Sequence, residues 1–104
     1  MRTIFINTTP QILSNTTPKR VRWTAEFTPT SIVAGNTGHI FIGRGFIPNA
    51  VVGDPNQGDV LNAGSSIEEK KNYKEDSLPY KGVIWVVADA ANQQITFDEQ
   101  LEGE

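Results

Sequence analysis

The sequence predicts an all-β chain, a compact antiparallel β-sandwich of jelly-roll type with an extended N-terminal arm. Three observations predict it. Val21, Trp23, Ala25 and Phe27 alternate with Arg20, Arg22, Thr24, Glu26 and Thr28, the two-residue period of a half-buried strand. Val83 to Ala88, between Gly82 and Asp89, is a continuous apolar run rich in β-branched residues; it is too short to cross a membrane and reads as a buried central strand, with Trp85 in the core. Elsewhere Gly, Pro and Asn cut the chain into short segments joined by turns. At 104 residues the chain fits one domain with a single modest core, divided here into an arm or edge strand over 1–18 and a sandwich over 19–104 that ends in a short acidic tail.

In order along the chain, Thr3 to Asn7 reads as a short β piece, and Pro10 and the polar run Ser14 to Pro18 break its continuation. The alternating strand follows from Lys19, with Trp23 pointing in and Arg20 and Arg22 pointing out. Thr30 to Ala34 and His39 to Ile42 flank Gly35-Asn36-Thr37-Gly38, residues that tolerate the positive φ of a tight turn, so a hairpin is expected. Gly43-Arg44-Gly45 opens a turn-rich connection, and Asp54 to Gly58 is a polar loop. Val60 to Asn62 is a short strand, after which Gly64 turns the chain into Ser65 to Glu69. Glu68 to Pro79 carries dense charge around Asn72 and Tyr73 with no apolar stripe, and reads as an exposed loop. Gly82 to Ala88 is the central strand, Asp89 to Asn92 a turn, and Gln94 to Glu99 the last alternating strand.

Composition narrows the chemistry. The chain has no cysteine, which removes disulfides and thiolate zinc sites. The only apolar run near the start, Ile4-Phe5-Ile6, is far short of a signal-peptide core. Residues 1–52 carry five basic side chains against Glu26 alone, whereas residues 53–104 carry four lysines against eleven carboxylates. Two explanations stand: strands of the two halves interleave so that the charges mix, or copies of the chain attract head to tail.

No catalytic constellation emerges. His39, the single histidine, sits in a strand beside Ile40 and Phe41, without the neighbouring nucleophile and orienting group that triad chemistry needs. Asp54-Pro55-Asn56-Gln57-Gly58-Asp59 begins like a calcium loop, but the glycine falls one place early and Ser65 stands where the bidentate Glu belongs. Gly43-Arg44-Gly45 is too short to cradle a dinucleotide. The adjacent carboxylates Glu68-Glu69 and Asp98-Glu99 point to opposite faces if extended, so they do not make a glycosidase pair. Lys19, Arg20 and Arg22 beside Trp23 suggest nucleic-acid binding weakly, and the acidic second half opposes it. The chain is therefore read as not an enzyme, without cofactor or metal, and without nucleic-acid or membrane partners.

Ser31 to Gly43 with its N-x-G-x-I-x-I-G pattern, Leu61-Asn62-Ala63-Gly64-Ser65-Ser66-Ile67, and Tyr80-Lys81-Gly82-Val83-Ile84-Trp85 together resemble small virion proteins of tailed bacteriophages. The likeness spans residues 20–100. It implies a compact β-sandwich and a structural role: a capsid decoration or cement protein on the virion surface, made in the host cytoplasm, with the major capsid protein and neighbouring copies of itself as partners. The alternative within the same class is a virion-associated module binding carbohydrate or receptor. Contacts are expected from the arm through Arg2, Ile4, Phe5 and Ile6, from the basic residues Arg20, Arg22 and Arg44, from Tyr73, and from Glu102 and Glu104 of the tail.

Overall fold

The structure, a computed structural model, describes residues 2–27, 38–62, 64–70 and 79–102. It is all-β. Eight strands form: β1 (Arg2–Ile6), β2 (Gln11–Ser14), β3 (Arg20–Phe27), β4 (Ile40–Arg44), β5 (Asp59–Leu61), β6 (Ser66–Lys70), β7 (Ile84–Ala88) and β8 (Gln93–Leu101). They make two antiparallel four-stranded sheets, ordered β1-β8-β3-β6 and β2-β7-β4-β5. Each of the first four strands pairs with its mirror in chain order: β1 with β8, β2 with β7, β3 with β6, β4 with β5. That is a long two-stranded ribbon rolled up, and the β3·β8 and β4·β7 pairings close the roll into a jelly-roll sandwich.

Alternation builds the core between the sheets. Trp23, Ala25 and Phe27 of β3 and Ile95 and Phe97 of β8 meet Ile40 and Ile42 of β4 and Ile84, Val86 and Ala88 of β7, all essentially without solvent contact. The expected alternating strand and the expected central strand are both interior strands of their sheets.

Several local readings are corrected. Residues 1–18 do not extend as an arm; of their two readings the edge strand holds, one strand at the rim of each sheet, and Ile6 and Leu13 belong to the core. Gly43 and Arg44 extend β4 rather than turning, and Glu68 to Lys70 lie in β6 rather than in a loop. Trp85 is half-buried and outside the central cluster, because Ile84, Val86 and Ala88 take the inward places of β7. The region stays apolar throughout for a physical reason: Val87 and its cross-strand neighbour Phe41 are buried on the outer face of the second sheet, so β7 is covered on both sides. The expected strand over Thr30 to Ala34 and the loop at Asn72 and Tyr73 lie outside the described residues.

Arg20 is the largest departure from simple alternation. The register shifts between Arg20 and Arg22 on β3, and between Ile12 and Ser14 on β2. Such bulges re-aim side chains, and here both turn inward, so that Arg20 Nη2 donates to Ser14 Oγ at 2.6 Å. The guanidinium also reaches Glu99 Oε2 at 3.0 Å, the carbonyls of Tyr80 at 2.8 Å and Gly82 at 3.2 Å, Asn15 O at 2.9 Å and Thr17 Oγ1 at 3.3 Å. A rigid fork of donors satisfied on every nitrogen ties the β2–β3 connection, the approach to β7 and β8 together.

The charge asymmetry resolves by interleaving. Arg20 pairs with Glu99, Arg22 with Glu68 and Asp98, and Arg44 with Asp59 and Glu69, each joining the basic half of the chain to the acidic half.

Candidate interaction surface

The connection between β4 and β5, residues 45–58, is long for neighbouring strands and is ordered by its own backbone. Asn49 N donates to Asn56 O at 2.9 Å, Asp54 N to Val51 O at 3.1 Å, and Gln57 N to Asp54 O at 3.0 Å. Asp54 Oδ1 accepts from Asn56 N at 2.8 Å, the local turn that Asp favours, and Gly53 N donates to Gln57 Oε1 at 2.6 Å. The loop is seated on β4 through two glycines. A Cβ at Gly43 would be driven into the Phe46 carbonyl and Pro48, and one at Gly58, whose φ is 69°, into the Ile42 carbonyl. A compact, internally bonded loop of this size has the form of an Ω-loop.

Its outer surface carries a group of exposed apolar side chains. Phe46 is 41% exposed, Ile47 51%, Val51 61% and Val52 59%, so four of the six large hydrophobic side chains most exposed on the described residues lie on this one loop. Pro48, by contrast, is buried against Gly43. Directly opposite Gly43 in the register stands Trp85, and opposite Trp85 on β2 stands the exposed Ile12. The loop thus rises beside a sheet face that is itself apolar, an arrangement that suits burial against another protein surface. The sequence reads the stretch opened by Gly43-Arg44-Gly45 as a turn-rich connection and Asp54 to Gly58 as a polar loop, and neither reading marks a contact surface. The signal was available in Phe46-Ile47 and Val51-Val52, apolar pairs placed among turn formers.

The residues expected to contact a partner divide sharply. Ile6 and Arg20 are inaccessible, Ile6 in the core and Arg20 in its hydrogen-bond cage, and neither can meet a partner. Ile4 is half-buried against the core. Arg44 stacks over the Trp23 indole, 5.4 Å from its centroid, and pairs with Asp59 and Glu69, while Trp23 Nε1 donates to Glu69 Oε1 at 2.5 Å. The Arg44 guanidinium is thus engaged within the chain. Phe5 remains outward and 57% exposed, Arg22 lies on the outer face of the first sheet, and Glu102 is exposed with its backbone N donating to Lys19 O at 2.6 Å. Arg2 pairs through its backbone opposite Phe97, and Tyr73 and Glu104 lie outside the described residues. The expected site residues are therefore not brought together.

His39 is hydrogen-bonded to Asp89, and its ring lies 6.4 Å from that of Phe41. Asp89 Oδ1 accepts from the His39 backbone N at 2.7 Å, and Asp89 Oδ2 lies 2.8 Å from His39 Nδ1. Burial pushes the Asp89 carboxyl up, but the His39 amide, the imidazole hydrogen bond and the imidazole charge outweigh it, and its pKa lies below the ordinary 3.8. The pair clasps the start of β4 to the turn after β7. No group of three or more metal-ligating side chains occurs among the described residues. Comparison with family models, with curated proteins and with solved structures finds no match for this chain.

Proposed function

We propose that the protein is a structural attachment module of a virion, a decoration or cement protein that docks on the phage head and contacts the major capsid protein through the 45–58 loop. The exposure of Phe46, Ile47, Val51 and Val52 on one internally bonded loop carries the reading. A preorganised apolar loop loses little conformational freedom on docking, which removes one of the costs that offset burial. The motif likeness to phage virion proteins supports the setting, and the jelly-roll topology is compatible with it, although that fold also serves lectins and cupins. Neighbouring copies on the head are the second expected contact.

The test is co-sedimentation of the tagged chain with heads of the phage that encodes it. V51D/V52D is expected to lose at least about tenfold in affinity, because burying one such side chain is worth roughly 1.5–3 kcal/mol. Equal binding by that variant rejects the loop as the docking element, and absence of the chain from purified particles rejects the virion assignment.

A further inference from the structure

The two sheets leave four edges, β1 and β6 on the first, β2 and β5 on the second. An edge strand presents a row of backbone donors and acceptors to other chains, and three of these four edges are guarded against that. β6 carries Glu68, Glu69 and Lys70, and full antiparallel overlap of two copies would set Glu68 against itself, like charges directly opposite. β2 is broken by the register shift between Ile12 and Ser14, and β5 is only three residues long. β1 has none of these devices. From Thr3 to Ile6 it holds no charge, proline or glycine. It pairs with β8 over five consecutive residues without a shift, and among the described residues no strand pairs with its other side.

This edge is also held ready and left uncovered. Asn7, next after the strand, accepts from Ala88 N through its carbonyl at 2.9 Å and from Asn92 N through Oδ1 at 3.0 Å, which ties the end of β1 to β7 and to the turn before β8. A strand fixed in this way loses little freedom on pairing. On the inward side Ile6 is fully buried but Ile4 only half, and on the outward side Phe5 is more than half exposed. Apolar side chains on both faces of one edge strand thus stop short of full burial.

Charge and symmetry single out a second copy of the chain as the occupant. Thr3 to Ile6 and the β8 residues paired with them, Gln93 to Thr96, are all uncharged, so this patch can face its own copy without repulsion. A two-fold contact sets residue i against j and j against i. With the five residues of β1 fully overlapped and antiparallel, Ile4 falls on the axis against Ile4 of the second copy, and Phe5 of each copy meets Thr3 of the other on the outer face. That overlap keeps inward residues opposite inward ones, and an aromatic ring opposite a β-branched residue is a favourable cross-strand pair. We infer that β1 is a self-pairing edge, at which two copies join their first sheets into one continuous sheet. A contact this short lies at the small end of protein interfaces, so the dimer is weak, with a Kd of about 0.1 mM. The apolar loop belongs to the second sheet, so self-pairing and capsid docking stand or fall separately.

The experiment is sedimentation equilibrium of the natural chain at loadings from about 5 µM to about 1 mM, a range that brackets that Kd. Monomer is expected at the low end and dimer at the high end. Over the same range hydrogen exchange of the β1 amides should slow while that of the β6 amides stays constant, because only β1 gains a neighbour. T3K/F5K and T3E/F5E change outward side chains alone. Each is expected to remain monomeric at the highest loading and to melt as the natural chain does at the lowest, whereas their equimolar mixture should regain a dimer, since the overlap sets each lysine opposite a glutamate. V51D/V52D should dimerise as the natural chain does. A natural chain that is monomeric throughout, a dimer that survives T3K/F5K, a mixture of the two charged variants that stays monomeric, or a dimer abolished by V51D/V52D overturns the assignment.

Discussion

Arg20 holds a permanent charge where no water reaches it, and it is tolerated because each guanidinium nitrogen has an oxygen to donate to. Removing one member of a buried ionic network strands the others, at a cost of about 3–5 kcal/mol. Arg20→Ala is expected to destabilise by that amount in chemical denaturation. Arg20→Lys should recover little, since a point ammonium cannot span Glu99, Ser14 and two carbonyls at once. The tryptophans test the core in the same way. Trp23→Ala should cost about 3–5 kcal/mol by opening an enclosed cavity, while Trp85→Ala should cost clearly less, being half-buried on the outer face. Equal losses in thermal unfolding would require β7 to be turned over. Trp23 was legible because strict alternation assigns each residue a face. Trp85 was not, because a run apolar at every position carries no phase, and Arg20 was not, because a bulge changes phase without leaving a mark in composition.

At the scale of elements, legibility followed position in the sheet. The interior strands β3, β7 and β8 carry strong apolar patterns that the sequence shows; β2, a four-residue edge strand interrupted by a bulge, leaves no such pattern. The end of β6 reads as loop in the sequence because an edge strand tolerates Glu68, Glu69 and Lys70, charges that also protect it from pairing with other chains. The seating of the 45–58 loop on β4 can be probed through its glycines. Gly43→Ala and Gly58→Ala are expected to lower the unfolding midpoint substantially, since each new Cβ meets a backbone carbonyl that cannot move alone. Gly53→Ala, in open space at φ 90°, should cost only the backbone term of about 1 kcal/mol. The Asp89 clasp gives a pH signature. A carboxyl whose folded pKa is lowered stabilises the fold fully above its unfolded value near 3.8, and this contribution is lost as pH falls through the folded pKa. Thermal melts between about pH 5 and pH 3 should show Asp89→Asn losing less stability with acid than the natural chain, whereas parallel melting curves would remove the clasp from the account.

For the whole molecule, the rolled ribbon makes the two ends of the chain partners: Arg2 lies opposite Phe97 and Ile6 opposite Gln93. The same winding brings the basic half against the acidic half, which is why the charge asymmetry along the sequence becomes pairing within one molecule. It also changes what removal of the N-terminus means. An arm that only reached a neighbour could be deleted without harm to the fold. Here deletion of residues 1–9 removes β1 and the buried Ile6, and it bares the edge of β8, the longest strand, to solvent and to other chains. Loss of Ile6 alone belongs to the class of core truncations that cost about 2–5 kcal/mol, a large share of the stability of a domain this size. The truncated chain is therefore expected to unfold at lower temperature and to aggregate in light scattering, while Phe5→Ser, which alters only the outward face of the same strand, should melt nearly as the natural protein does. If the truncated chain instead remains monomeric with an unchanged melting temperature, β1 is an appended arm after all, and the pairing of the chain ends contributes nothing to holding the roll closed.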